Sequence, residues 1–398
     1  MIANTLAISL AEKFAGPSAR VLDPFCGTGR TLLAAAATGA QTVGVDVNPL
    51  ACLITTAKAA HVRVDRLQRL LQRIPKAADR DVLPADQGNS MQLVAGRKVQ
   101  WFSARVKAEL KALLLWLNGL RLDEGERVLV AAIVSATVRE VSYCRNDQWK
   151  LHRISLTARR RFSPSTWHVF ARRLTSAIQE LKIAPALPGS VNVIRGSSLE
   201  LQRLLRRHDH HEKFDAVLTS PPYGDSRSTV QYGAMSGISL AVLRYLRHLD
   251  VEMMLGGEID RNCLGGSIPR PSDVQSGLVE PRYWAGAQSN DARNRVAHFL
   301  HDLEVSCAQV SPVLRTGGTA VFVTSRRRVG GWRLHLDKFV VDAFESRKFS
   351  LQSATTRRII MKVTPSTIDR SGRSSVGSHT GHAVRTMREE QVLVFKKD

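Results

Sequence analysis

Residues 20–49 read RVLDPFCGTGRTLLAAAATGAQTVGVDVNP, and their reading decides the fold. The run from Arg20 to Phe25 predicts a short buried strand entering a turn, Arg30 to Thr38 a helix, and Gln41 to Val45 a second strand ending at Asp46. This is a β-turn-α-β unit, the seed of a parallel sheet. Gly27 and Gly29 let the backbone approach a ligand closely where the helix N-terminus offers free N–H groups. A dinucleotide fingerprint would need a glycine where Leu32 stands, and no Gly-Lys-Ser/Thr phosphate loop follows. Asp46, at the end of the second strand, is placed to accept hydrogen bonds from two ribose hydroxyls. A nucleoside without a pyrophosphate is the expected ligand.

Beyond this unit the pattern turns helical, with helices expected at Leu53–Ile74, Ala104–Asn118, Glu124–Tyr143 and Pro164–Ile183. Residues 53–188 therefore read as a helical insertion, closed by the Pro185–Ser190 linker. Strand character resumes at Val191–Ile194 and Ala216–Leu218. Residues 225–289 are rich in Gly, Ser and Pro and read as a long, partly irregular region. A helix (Asn290–Leu314), a strand (Thr319–Thr324), a helix (Leu336–Arg347) and two strands (Arg357–Val363, Glu390–Phe395) around a polar loop complete the chain. The segments expected are 1–52, 53–188, 189–224, 225–310 and 311–398.

The 398 residues carry 57 Lys and Arg against 35 Asp and Glu, a formal net charge of +22. Such a field favours a polyanion partner, because each neutralised phosphate releases counterions. The excess is local: Arg139, Arg145, Lys150, Arg153, Arg159, Arg160, Arg161, Arg172 and Arg173 face only Glu140 and Asp147, interleaved with Tyr143, Trp149, Phe162 and Trp167. A mixture of guanidinium groups and rings suits nucleic acid. Apolar runs such as Thr31–Val45 and Val128–Val138 are shorter than the ~20 residues of a membrane span. The N-terminus lacks a basic leader and a cleavage site, so a cytoplasmic protein with no membrane partner is expected. Five scattered cysteines without a Cys-x-x-Cys pair argue against disulfides and structural zinc. The run His208-Asp209-His210-His211-Glu212 reads as a solvated loop, and no metal is expected.

The second decisive stretch is Phe214–Gly224, where a strand ends in Ser220-Pro221-Pro222-Tyr223. Two prolines fix φ and make the turn rigid and rich in acceptors. With Asp23-Pro24-Phe25-Cys26-Gly27-Thr28-Gly29 upstream, the sequence resembles the amino-group DNA methyltransferases, which use S-adenosylmethionine. The resemblance implies a Rossmann-like α/β fold, a mostly parallel sheet whose antiparallel last strand is Glu389–Lys396. It implies S-adenosylmethionine as cofactor, held by Asp23, Phe25, Gly27, Gly29, Asp46, Asn48 and Ser197. Ser197 stands where many relatives carry an acidic residue for the adenine amino group. Relatives with this motif order carry more chain before the first strand than the roughly twenty residues here; either the start is truncated or other segments complete the pocket.

The same resemblance implies catalysis by Ser220, Pro221, Pro222 and Tyr223. The serine hydroxyl and the Pro221 carbonyl would accept the two N–H bonds of a flipped base's amino group, with Tyr223 stacked on the base. Ring-carbon methylation uses a Pro-Cys dipeptide, which is absent. The serine variant of the turn resembles N4-cytosine enzymes, with N6-adenine as the alternative. Double-stranded DNA is the expected partner, with Arg145, Lys150, Arg153, Arg159, Arg160, Arg161, Arg326, Arg327 and Arg328 on its phosphates, and a cognate restriction endonuclease is a further expectation. Methylation of an RNA base and a non-catalytic DNA-binding role stand as rivals.

Overall fold

The computed structural model describes residues 2–75, 101–145, 151–224, 232–247, 249, 256–266, 284–285, 290–329, 332–359, 367–368, 384–385 and 389–398. Seven strands form one sheet: β1 (Arg20–Asp23), β2 (Gln41–Asp46), β3 (Ser190–Arg195), β4 (Phe214–Thr219), β5 (Leu314–Thr324), β6 (Phe349–Arg358) and β7 (Glu389–Lys397). Their order is β3-β2-β1-β4-β5-β7-β6. The first five are mutually parallel, while β7 runs antiparallel to both neighbours, with Gln391 opposite Thr324 and Thr356. The expected sheet is present, and the last strand in sequence sits inside it. The chain proceeds outward from β1 to β3 and then returns to place β4 on the other side of β1. That reversal opens a crevice at the carboxyl ends of β1 and β4, where ligands bind in open α/β sheets.

Strand side chains alternate between two apolar layers. Leu22, Val217, Phe322, Leu393 and Phe395 enter one; Val21, Leu218, Val321, Val323 and Val394 enter the other. The second layer is covered by α1 (Asn4–Phe14) and α2 (Arg30–Ala37), through Ala7, Leu10 and Ala35. The first is covered by α9 (Leu201–Arg207), α12 (Asn290–Val313) and α13 (Leu336–Glu345). Here Phe344 lies between Phe322, Phe349 and Phe395 at ring distances of 4.8, 4.9 and 4.8 Å.

Between β2 and β3 stand α3 (Pro49–Ala59), α4 (Val64–Gln72), α5 (Ala104–Asn118), α6 (Glu124–Val141), α7 (Leu156–Arg161) and α8 (Thr166–Ile183). The single helix expected over Leu53–Ile74 is two. The chain breaks at 60–63 so that Val62, Leu67 and Leu70 reach a common core. α8 starts at Thr166, capped by Ser165, and α6 carries a capping box between Asp123 and Glu126. Within residues 225–289, expected to be partly irregular, the described residues include α10 (Tyr232–Leu243) and α11 (Gly256–Asn262). α10 buries Ile238, Leu240, Val242 and Leu243 in the core made by the helices before β3. Its residues are apolar nearly all round, so no helical period shows in the sequence. At the C-terminus β6 starts at Phe349, eight residues before the expected strand. Among the described residues no helix is long and apolar enough to cross a membrane.

Candidate active site

The two motifs meet at the carboxyl edge of the sheet. Asp23, at the end of β1, is 2% exposed and accepts from Phe25 N at 3.0 Å and from Thr219 Oγ1 at 2.5 Å. Thr219 is the last residue of β4, so this bond ties the Gly27–Gly29 loop to the Ser220–Tyr223 turn. Burial pushes the Asp23 carboxyl up to about 6, against the pull of its hydrogen bonds. Asp23 is thus a structural joint beneath the ligand position.

Gly27 (φ 52°) and Gly29 (φ 79°) both take left-handed conformations that side chains rarely adopt. A Cβ on Gly29 would stand 2.4 Å from Thr55 Cγ2, so the loop is pressed onto α3 there; a Cβ on Gly27 would meet nothing within 4 Å. Thr55 Oγ1 and Lys58 Nζ hold the loop from below, donating to Gly27 O and Thr28 O, each at 2.9 Å. Asp46 accepts from Gly27 N at 2.9 Å and from Asn48 N at 2.8 Å, one bond on each oxygen. Each oxygen keeps a lone pair for a further donor. Burial raises its carboxyl from the ordinary value, and the two N–H bonds oppose the rise.

This geometry fits the expected cofactor: open space above Gly27, a free helix N-terminus and a partly exposed carboxylate at the neighbouring strand end. No protein-family model matches the chain. Over 413 residues it is 25% identical to the type II methyltransferase M.MvaI of Kocuria varians, covering 98% of this chain and 87% of that protein. Over nearly its whole length the chain is thus similar to a type II methyltransferase. Among solved structures, TrmN from Thermus thermophilus aligns with a TM-score of 0.32 and 12% identity, over 99% of this chain and 48% of that one. The arsenic(III) S-adenosylmethionine methyltransferase of Chlamydomonas reinhardtii aligns with a TM-score of 0.33 and 10% identity, over 100% of this chain and 74% of that one.

Other residues expected in the site also make contacts within the fold. Asn48 caps α3 by accepting from Leu50 N at 3.1 Å and donates from Nδ2 to Ser236 Oγ of α10 at 2.8 Å. Ser197 Oγ accepts from Leu199 N at 3.3 Å and caps a short turn beyond β3. Phe25 packs against the main core. Tyr223 is partly buried with its ring against the main core, and its hydroxyl lies 3.0 Å from Ser220 Oγ and 3.3 Å from Glu390 Oε1. Sequence reading missed Glu390. It stands beside Glu389 and Gln391 at the polar start of β7, ahead of the apolar run Val392–Phe395, and is only 5% exposed in the fold.

Among the basic residues, Arg326 pairs with Asp337 through Nε at 2.9 Å and Nη2 at 2.7 Å. Lys150 and the side chains of Arg327 and Arg328 lie outside the described residues. A β-bridge between Cys144 and Arg153, with Arg145 N donating to His152 O at 2.7 Å, brings Arg145 and Arg153 near one another. Arg159 stands 5.5 Å over the Tyr143 ring, which is 6.0 Å from Phe162. Arg153, Arg160 and Arg161 are exposed. Glu140 takes Arg172 and Arg173, leaving the positive excess on residues 145–161.

Proposed function

We propose that this protein transfers the methyl group of S-adenosylmethionine to the exocyclic amino nitrogen of a base in double-stranded DNA, with cytosine N4 as the target. The observation that carries the reading is the 2.5 Å bond from Thr219 to Asp23, which sets the Ser-Pro-Pro-Tyr turn beside the cofactor loop. The bound cofactor supplies an electrophilic methyl group on a sulfonium. Asp46 binds the ribose hydroxyls, and the Gly27–Gly29 backbone leaves room for the methionine end. Ser220 Oγ and the Pro221 carbonyl accept the two N–H bonds of the amino group. Holding them directs the nitrogen lone pair out of the ring plane and stabilises positive charge as it develops on nitrogen. Attack of that nitrogen would take the methyl group as its bond to sulfur breaks, and the methylated nitrogen would pass one proton to solvent.

The relative's designation as a type II methyltransferase supports DNA as substrate, and the proposal extends to a cytoplasmic restriction-modification pair with an endonuclease for the same site. Arg145, Lys150, Arg153, Arg159, Arg160 and Arg161 are the proposed phosphate contacts, joined by Arg327 and Arg328. Residues 225–310 are proposed to read the bases beside the target. Exchanging that segment for a relative's without any change of target sequence would overturn this last assignment.

The test is incubation with labelled S-adenosylmethionine and mixed-sequence duplex DNA, followed by digestion to nucleosides and mass analysis. N4-methylcytosine is the expected product, and Ser220→Ala is expected to lower kcat by about 100-fold or more. N6-methyladenine would overturn the base assignment but not the chemistry. Label found only in RNA would overturn the DNA assignment.

A further inference from the structure

We infer that Glu390 is a positioning residue that, through Tyr223, fixes Ser220 as a hydrogen-bond acceptor, so that the site takes an amino group and refuses a carbonyl oxygen in the same place. The inference rests on the amino-transfer reading above and adds its specificity. β7 runs antiparallel to β5, so its first residues reach the same sheet edge as the end of β4. From there Glu390 Oε1 stands 3.3 Å from the Tyr223 hydroxyl, which in turn stands 3.0 Å from Ser220 Oγ. Arg357 Nη1, from β6, lies 3.9 Å from the other carboxylate oxygen.

The direction of this chain follows from donor counting. An ionised carboxylate has lone pairs only, so the phenol must donate to it. A hydroxyl has one proton, so the Tyr223 oxygen can meet Ser220 only as an acceptor, and the Ser220 proton is then spent. A third partner at Ser220 Oγ therefore meets lone pairs. The amino group of cytosine or adenine satisfies them, whereas the oxygen of uracil or hypoxanthine faces them unpaired. Burial and the adjoining Glu390 push the Tyr223 hydroxyl above its ordinary value, so it keeps the proton the chain requires.

The experiment first maps the base modified by the wild-type enzyme. Duplexes are then prepared with that base or with its oxo counterpart, uracil for cytosine or hypoxanthine for adenine. Their affinities are measured in the presence of S-adenosylhomocysteine, beside kcat and the KM for S-adenosylmethionine. The wild type is expected to prefer the amino duplex by about 10- to 100-fold. Glu390→Gln, whose amide both donates and accepts, is expected to shrink that preference to about threefold or less and to lower kcat, with the cofactor KM unchanged. Tyr223→Phe, which keeps the ring, should show the same loss, and the double variant should be no worse than the poorer single one.

Retention of the wild-type preference and kcat by Glu390→Gln would overturn the inference. So would an equal loss of affinity for both duplexes, the mark of a merely structural role. A wild type that methylates DNA yet binds both duplexes alike sinks this inference alone. A wild type that methylates no DNA sinks the proposed function and this inference with it.

Discussion

The sheet and the helical layer beside it are both built on apolar cores, yet their residues are recruited by opposite rules. Along β5, neighbours serve opposite faces: Ala320 and Phe322 enter one layer, Val321 and Val323 the other. In the helical layer one core gathers residues as distant as Leu53 of α3, Trp167 of α8 and Ile259 of α11. Strand alternation is a local signal with a period of two. The helical core is a long-range agreement between two stretches separated by β3 and β4. The sheet edge is where the chemistry is proposed, and α10, the next helix among the described residues after the Ser220–Tyr223 turn, is bolted to the layer by Asn48 to Ser236 and by Ser239 Oγ to Ser135 O at 3.1 Å.

The hardest way to break the sheet side is Phe344→Ala, which removes the ring shared by Phe322, Phe349 and Phe395 and is expected to cost about 3–5 kcal/mol. Chemical denaturation should show that loss together with loss of cofactor binding. On the helical side, Leu240→Ala is expected to cost about 2–4 kcal/mol. Being away from the cofactor loop, it should leave S-adenosylmethionine affinity within about threefold. Equal damage to affinity by both variants would collapse the distinction between the regions.

Asp23 sharpens the comparison at the joint of the two motifs. Its carboxyl is raised from 3.8 to about 6 by burial, so the fold favours its protonated form. The corresponding stability, about 3 kcal/mol, is fully present below pH ~4 and is lost as pH rises to about 6. Asp23→Asn keeps an acceptor for Thr219 and Phe25 and should flatten that part of the stability curve. A wild-type curve with no fall over this window would refute it. The smallest effect belongs to the helical layer: Asp123→Ala removes the capping box of α6 and is expected to cost about 1 kcal/mol, read from the denaturation midpoint.

How much of this was legible follows from the range of each signal. The β1–α2–β2 unit and the strand into Ser220 were readable because alternation, paired glycines and prolines act within a few residues. The break at 60–63 was not, because only the need to bury Leu67 and Leu70 together requires it. Arg326 reads as a free cation in a basic run, and its neutralisation by Asp337 becomes visible only when β5 and α13 are packed. Tyr223 reads as a ring for stacking, and its hydroxyl acquires a partner from β7, 167 residues away.

The sequence alone therefore determined the layered α/β fold, the cofactor loop with Asp46, and the Ser-Pro-Pro-Tyr turn, since each is encoded by short-range backbone preference and residue chemistry. Tertiary structure decided the placement of α10 in the helical core, the Asp23–Thr219 joint and the Glu390–Tyr223–Ser220 chain. Those depend on which distant groups must share a dry interior, where a buried polar atom has to find its partner in three dimensions.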